Sequence, residues 1–353
     1  MYARRRPIVA VIVVALIAIG VMICVLAVPK NGPDTIFDTR LSDDGRLVYI
    51  DVKGDYRFNH YLEHGSSDVN LGDFYDYLRD NITCGKPING VNPVNCSAFE
   101  ASNSDGSGFL VGRNFDFRYS MPGVVYTHAD GCYRSMSLVD MRMFVDTDEE
   151  YSKIATDVRL NAAPYIPLDG VNEKGVFVCV NMVHFGDVMD MKGKTPIFAT
   201  SALRLILDKA DSTESAVRLV ENYSLKSDVC YHFFVTDRTG DSRSIEVIDG
   251  RIESTPTELM TNHYIFPDTG VPVSENSKYR YDIIKASLDS SDIMDDDQVR
   301  DVLNSVRQDD PDLVHYTRWS VVYDTEELSA TVYLRSGDSM DYAHPFHLRL
   351  IEA

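Results

Sequence analysis

From residue 8 to residue 28 the chain runs through 21 residues without a charge, and Arg4, Arg5, Arg6 and Lys30 flank that run. At a rise of about 1.5 Å per residue, such a helix spans about 30 Å, the hydrocarbon thickness of a bilayer. The pattern predicts a single transmembrane helix within residues 1–30. A removable signal peptide has a shorter apolar core and a small-residue cleavage site, which VLAVPK resembles poorly. An uncleaved signal anchor is therefore the expectation. The arginines precede the span, which puts the N-terminus in the cytoplasm and everything after Lys30 on the far side of the membrane.

Beyond the anchor, residues 46–55 (RLVYIDVKGD) read as a strand closed by Gly54, while 58–63 and 71–79 carry apolar positions at helical spacing. The Gly-, Pro- and Asn-rich stretch 84–95 predicts a loop. From Cys96 onward the period changes to short strands: SAFEA, FLVGRNFDF, VVYTH, SMSLVDMRMF and GVFVCVNMV. Helical spacing returns over 200–209 and, after the cap-like pair Asp211 and Ser212, over 213–223. YHFFVTD and SIEVIDG flank the turn RTGD as a hairpin. Two more helices fit 277–288 and 296–307, and the chain ends in a hairpin (WSVVYD, ATVYLRS) and a strand near 347–351. Strand blocks interleaved with helix blocks, without an internal repeat, predict an α+β layered fold. The organisation expected is an anchor (1–30), a folded pro-segment (31–95) and a main domain (96–353).

Charge narrows the class of partner. With 34 basic against 54 acidic side chains the formal charge is −20, which argues against nucleic acid. Residues 1–30 hold four basic and no acidic residues, so the exported part has 30 and 54, a formal −24. It should repel an anionic membrane surface, and the bland reading of so much acid is a solubilising exterior. Five cysteines follow the span: Cys84, Cys96, Cys132, Cys179 and Cys230. Five is odd, so at least one thiol has no partner within the exported chain. No CxxC and no HExxH occurs and the nine histidines are scattered; neither a metal nor another cofactor is expected.

One cysteine stands out. Seventeen residues after Cys96, at the far end of the predicted hairpin, comes Gly112-Arg113-Asn114-Phe115-Asp116. This brings a guanidinium and a carboxylate near the start of the first strand. A thiol becomes a better nucleophile beside a fixed cation, and a cysteine that begins a mature chain has its own α-amine as a base. Arg113 and Asp116 would then favour the thiolate and hold the amine; the plain alternative is that they simply pair at a strand end.

CSAF, GRNFDF, DGVNEKGVFVCVN, FFVTDRTGDSRSIEVIDG, MTNHY and TRWSVVYD occur in the order, and at close to the spacing, of one known group. Over residues 96–351 the chain resembles the choloylglycine hydrolase and acid amidase group of N-terminal-nucleophile hydrolases. That group includes bile salt hydrolases, penicillin V acylases and the acyltransferase-like C45 peptidases. The resemblance implies a four-layer αββα sandwich with the nucleophile at a strand's N-terminus. Carried over by position, Cys96 is the nucleophile, Arg113 stabilises its thiolate and Asp116 binds the free amine. Asn181 is the oxyanion-hole asparagine, Asn262 a second active-site asparagine and Arg280 the late arginine, with Lys278 as its competitor. The resemblance also implies self-cleavage at Asn95-Cys96, since Cys96 lies far from the initiator Met. Residues 31–95 would then stay docked, with Cys84 available for a disulfide to the larger fragment, or leave.

The activity so implied is hydrolysis of a linear, non-peptide amide bond in an exported small molecule, such as an N-acyl amino acid, bile salt or penicillin, through an acyl-thioester on Cys96. An acyltransferase of the same fold and an unprocessed, anchored binding protein are the alternatives. A homo-oligomer is also implied, because members of the group often form tetramers.

Overall fold

The computed structural model describes residues 35–64, 71–90, 95–310 and 315–350. The predicted anchor at 8–28 lies outside these residues. Among the described residues no helix is long and apolar enough to cross a membrane.

The segment before Cys96 opens with an antiparallel hairpin, β1 (Ile36–Leu41) and β2 (Val48–Lys53), followed by helices α1 (Phe58–His64) and α2 (Leu71–Asn81). β3 (Asn95–Asn103) and β4 (Phe109–Phe117) then form a second hairpin, and β5 (Pro122–His128) and β6 (Ser135–Asp140) a third. β7 (Asp169–Asn172) and β8 (Phe177–Met182) lead into helices α3 (Ser201–Lys209) and α4 (Thr213–Glu221). Strands β9 (Tyr231–Thr236), β10 (Arg243–Ile248), β11 (Arg251–Pro256) and β12 (Leu259–Met260) precede helices α5 (Glu275–Ser290) and α6 (Asp296–Ser305). The last hairpins are built from β13 (His315–Asp324), β14 (Ser329–Ser336) and β15 (Ser339–Arg349).

Two sheets result. The first has nine strands in the order β1-β2-β5-β6-β7-β8-β9-β10-β11. The second has eight: β12-β3-β4-β13-β14-β15, with Ile293–Met294 beside β3 and Asp309–Asp310 beside β13. The sheets face one another through Cys96, Ala98, Phe115, Trp319 and Tyr323 on one side and Phe177 and Cys179 on the other, all buried. Phe177 and Tyr323 meet across the gap with ring centroids 4.9 Å apart. α3 covers the outer face of the first sheet, while α5 and α6 cover the second over their own core of Phe99, Leu110, Ile284, Val299 and Leu303.

Several sequence expectations change in detail. The strand expected over SMSLVDMRMF stops at Asp140, whose carboxylate accepts from the Arg142 backbone N–H at 3.0 Å and caps a short 3-10 turn over Met141–Met143. The helix expected over 213–223 stops at Glu221, and Tyr223 opens a strand (Tyr223–Ser227) that pairs in parallel with Thr195–Phe198. Its N-cap is Ser212, as its sequence suggested, in a capping box with Ser215.

The segment before Cys96 is part of the sandwich. β2 pairs in parallel with β5, Val48 opposite Gly123 through Lys53 opposite His128, so a strand from before Cys96 is continuous with the sheet formed after it. Val48, Ile50 and Val52 are fully buried. Phe74 of α2 stacks on Phe198 at 4.7 Å, Phe58 meets Tyr165 edge-on at 5.7 Å, and the Tyr61 hydroxyl accepts from the Phe198 backbone N–H at 2.8 Å. Tyr56 donates to Asp208 of α3, which pairs with Arg204 at 2.9 Å. Cys84, Cys96, Cys132, Cys179 and Cys230 are all free thiols.

Separating the two sides of the Asn95-Cys96 bond therefore exposes a large apolar face. If that bond is cut, the two fragments should co-elute in native size-exclusion chromatography and separate only in denaturant. Phe74→Ala should lower stability by about 3–5 kcal/mol in a urea melt, because it leaves a cavity in this shared core.

Candidate active site

Cys96 is the second residue of β3, and the register of the β3–β4 hairpin sets its surroundings: Cys96 faces Phe115, Asn95 faces Asp116, and Ala98 faces Arg113. Side chains alternate along a strand. This directs Arg113 and Cys96 into the layer between the sheets and Asp116 toward the helices of the second sheet.

Arg113 is fully buried and reaches across to the first sheet. Its Nη1 donates to Asn181 Oδ1 at 2.5 Å, its Nη2 to the Val180 carbonyl at 2.8 Å, and its Nε to Asp169 Oδ2 at 3.4 Å. The other oxygen of Asp169 accepts from the Tyr323 hydroxyl. Burial raises the Asp169 carboxyl, and the Arg113 charge opposes that rise. Since Asn181 turns its oxygen to Arg113, its amide nitrogen faces the other way, toward the Thr261 carbonyl at 2.8 Å and that of Met260 at 3.4 Å.

Those contacts fix the segment that carries Asn262. Asn262 Nδ2 donates to the Met182 carbonyl at 2.7 Å, and its backbone N–H donates to Ser277 Oγ at 2.8 Å. Its Oδ1 accepts from two donors, the backbone N–H of Cys96 at 3.1 Å and Arg280 Nη2 at 2.6 Å. Arg280 also donates through Nη1 to the Cys96 carbonyl at 2.7 Å and lies 3.7 Å from Asp116 Oδ2. The peptide unit on either side of the Cys96 α-carbon is thus held by one amide and one guanidinium. Lys278, the competing assignment, is exposed and pairs with Asp282 at 2.7 Å, one helical turn away from the site.

Asp116 is buried and accepts from Thr317 Oγ1 at 2.6 Å and Gln308 Nε2 at 2.9 Å. Burial raises its carboxyl, chiefly against the attraction of Arg280. Here the atoms differ from the division of labour implied by the family resemblance. In the continuous chain the Cys96 nitrogen is held by Asn262, not Asp116. The amide N–H groups of Asn181 and Asn262 point at backbone carbonyls. Asn262 is in this state a clamp on the Cys96 nitrogen.

All six residues singled out in the sequence converge on one buried place. Several of their supports lie inside the matched motifs without having been assigned a part: Asp169 opens DGVNEKG, and Thr317 opens TRWSVVYD. Ser277 is the serine of the Ser-x-x-Arg-Tyr form that singled out Arg280, whereas Gln308 lies in no such motif and only the fold brings it to the site. A further pair, buried His232 and Glu246, braces the Asn262 segment. His232 Nδ1 lies 2.9 Å from Glu246 Oε1 and its Nε2 3.0 Å from the Thr261 carbonyl, while Glu246 accepts from the Ile265 and Phe266 backbone N–H groups at 2.8 and 2.7 Å. Burial pushes neighbouring His263 down to about 4, so that ring is neutral at pH 7.

Cys96, near the head of its strand and held by asparagine and arginine between two stacked sheets, makes a candidate active site in a mixed α+β sandwich. The chain belongs to the acyl-coenzyme A:6-aminopenicillanic acid acyl-transferase family, whose model matches residues 103–339. The match begins seven residues after Cys96 and includes Arg113, Asp116, Asn181, Asn262 and Arg280. Among solved structures, the fold is similar to a variant of the conjugated bile acid hydrolase from Clostridium perfringens, at 14% identity and a TM-score of 0.52 over 73% of this chain and 93% of that one. It is also similar to the penicillin V acylase from Agrobacterium tumefaciens, at 17% identity and a TM-score of 0.51 over 69% of this chain and 84% of that one. No curated protein sequence matches the chain.

In the continuous chain the thiol is latent. Burial pushes Cys96 up to about 11 despite Arg113, so at pH 8 about one molecule in a thousand carries the thiolate. Iodoacetamide at pH 8 should label the half-buried Cys84 well before Cys96, and Cys96 only after unfolding. Peptide mass mapping of the folded and urea-treated chain reads the difference.

Proposed function

We propose that the protein is a linear-amide hydrolase that matures by cutting its own Asn95-Cys96 bond and then uses Cys96 as an N-terminal nucleophile. The observation that carries this reading is the convergence on the Cys96 main chain: Asn262 accepts from its nitrogen at 3.1 Å and Arg280 donates to its carbonyl at 2.7 Å. Any buried backbone group needs a partner, but here the partners are a side-chain amide and a buried guanidinium rather than main-chain groups. An amine that must later act as a base needs such a clamp.

In the maturation step the Cys96 sulfur attacks the Asn95 carbonyl carbon and the C–N bond to Cys96 breaks. The thiol proton ends on the departing nitrogen, which becomes the free amine. Water then cleaves the Asn95 thioester, leaving a carboxylate on Asn95 and the thiol on Cys96. In turnover the amine takes the thiol proton as sulfur attacks the substrate carbonyl, and delivers it to the leaving amine. Arg113 is the fixed cation that favours sulfur as an anion. Freed from the peptide, the Cys96 nitrogen can move toward Asp116. The Asn181 and Asn262 amides can then turn to the developing oxyanion, where a donor contributes most to rate. Water resolves the acyl-thioester.

The name of the matching family favours one second reading, transfer of the acyl group to an amine acceptor through the same thioester. We infer further that residues 8–28 anchor the chain and place the catalytic domain outside the cytoplasm, on the strength of the uncharged run and the arginines before it.

Intact mass and N-terminal sequencing of purified protein should give a chain beginning at Cys96, and Cys96→Ala should stay whole. An uncut, folded wild type would exclude the mechanism. Wild type incubated with N-acyl amino acids, bile salts or penicillin V should release free acid, with Cys96→Ala lower by at least a thousand-fold. Conversion of the product to a new amide on adding an amine acceptor would move the assignment to acyl transfer.

A further inference from the structure

The residue on the other side of the bond to be cut has its own partner. Asn95 is 4% exposed, and its Oδ1 lies 2.5 Å from Nε2 of His184. The other ring nitrogen, Nδ1, lies 2.9 Å from Ser274 Oγ, and the backbone N–H of His184 donates to the Asn262 carbonyl at 2.9 Å. Ser274 is the N-cap of α5, the helix that carries Arg280, and its Oγ accepts from the Ser277 backbone N–H at 3.2 Å. His184 thus joins four parts of the site: the segment after Asn181, the Asn262 segment, the start of the Arg280 helix, and the residue before Cys96.

Hydrogen-bond chemistry fixes the direction of the Asn95 contact. A carboxamide oxygen only accepts, so His184 Nε2 must carry the proton it shares with Asn95. Ser274 Oγ accepts from the Ser277 N–H with one lone pair and meets Nδ1 with either its hydrogen or its second lone pair. The ring therefore donates to Asn95 through Nε2 whatever the state of Nδ1.

We propose that His184 is a positioning residue for maturation: it clamps the Asn95 side chain and so sets the scissile carbonyl in line with the Cys96 sulfur. This rests on the reading that Asn95-Cys96 is cut by Cys96. Cys96 and its nitrogen are held from the C-terminal side of the bond by Asn262 and Arg280. An attack across a peptide bond also requires the acyl side to be held, because small misplacement of reacting atoms is costly in rate. His184 supplies that second grip. It makes maturation selective for a residue at 95 that offers a short side-chain acceptor.

The rate at which the chain beginning at Cys96 appears during cell-free synthesis tests this directly, followed by gel and intact mass. His184→Ala and Asn95→Leu should each slow cleavage by at least ten-fold, whereas His184→Gln, which keeps an N–H donor, and Asn95→Asp, which keeps the acceptor, should recover most of the rate. Comparing the thermal melts of Cys96→Ala and Cys96→Ala/His184→Ala separates positioning from folding, since a positioning role leaves the two melts alike. Wild-type cleavage with His184→Ala and Asn95→Leu cut at the wild-type rate overturns the role of His184 alone. Slow His184→Ala cleavage without rescue by His184→Gln, accompanied by a lowered melt, also overturns it, as a purely structural effect. A wild type that is never cut overturns both this inference and the maturation on which it rests.

Discussion

A guanidinium with no access to water sits between the two sheets, and much of the site depends on satisfying it. Removing Arg113 from water is costly unless its donors find partners, and one nearby carboxylate rarely suffices. Here the partners are Asp169, Asn181 and the Val180 carbonyl, all on the opposite sheet. Each is fixed in turn: Asp169 by Tyr323, Asn181 by the carbonyls before Asn262. The demand of one buried charge therefore sets the spacing of the sheets, the orientation of Asn181 and, through it, the segment that holds the Cys96 nitrogen. Burial contributes a second effect, because the same low-dielectric layer that makes Arg113 demanding holds the Cys96 thiol protonated.

This couples latency to architecture. The arrangement that grips Cys96 is complete while the bond to Asn95 is intact, and the segment before Cys96 belongs to the same core through β2, α1 and α2. The folded chain holds a buried, protonated Cys96 thiol with Asn95, Cys96 and their partners already in register. The hydrophobic face shared by Phe58, Tyr61, Phe74, Tyr165 and Phe198 makes departure of that segment expensive at about 25 cal/mol per Å² of apolar surface. Were the Asn95-Cys96 bond cut, such a core would keep the two fragments together.

Much of this was legible beforehand where the signal is local. The hairpins about RTGD and between β3 and β4, the caps of α4, and the helices near 277–288 and 296–307 follow from turn chemistry and apolar period. The strand β2 was legible, but its partner was not, because a parallel pairing across some 70 residues leaves no local trace. The helical turn at Met141–Met143 carried the apolar residues of a strand, and the Asp140 cap outweighed them. Ser277 and His184 lay in stretches the sequence marked, the Ser-x-x-Arg-Tyr form and the loop after Asn181, but their parts were not legible, and Gln308 was not marked at all, since such a residue looks the same whether it faces solvent or a buried backbone.

The sequence by itself singled out the side chains that meet in the site: a cysteine near the head of a strand, Arg113 and Asp116 at the return of its hairpin, and, by resemblance, Asn181, Asn262 and Arg280. It could do so because residue type and order are properties of the chain. Tertiary structure alone decided which atom of each faces which partner. Asn262 presents its oxygen to the Cys96 nitrogen because Arg280 and Met182 claim its two ends, and Arg280 rather than Lys278 enters the site because the register of α5 turns it inward. Such choices depend on burial and on competition among donors and acceptors, and those exist only once distant segments are packed together.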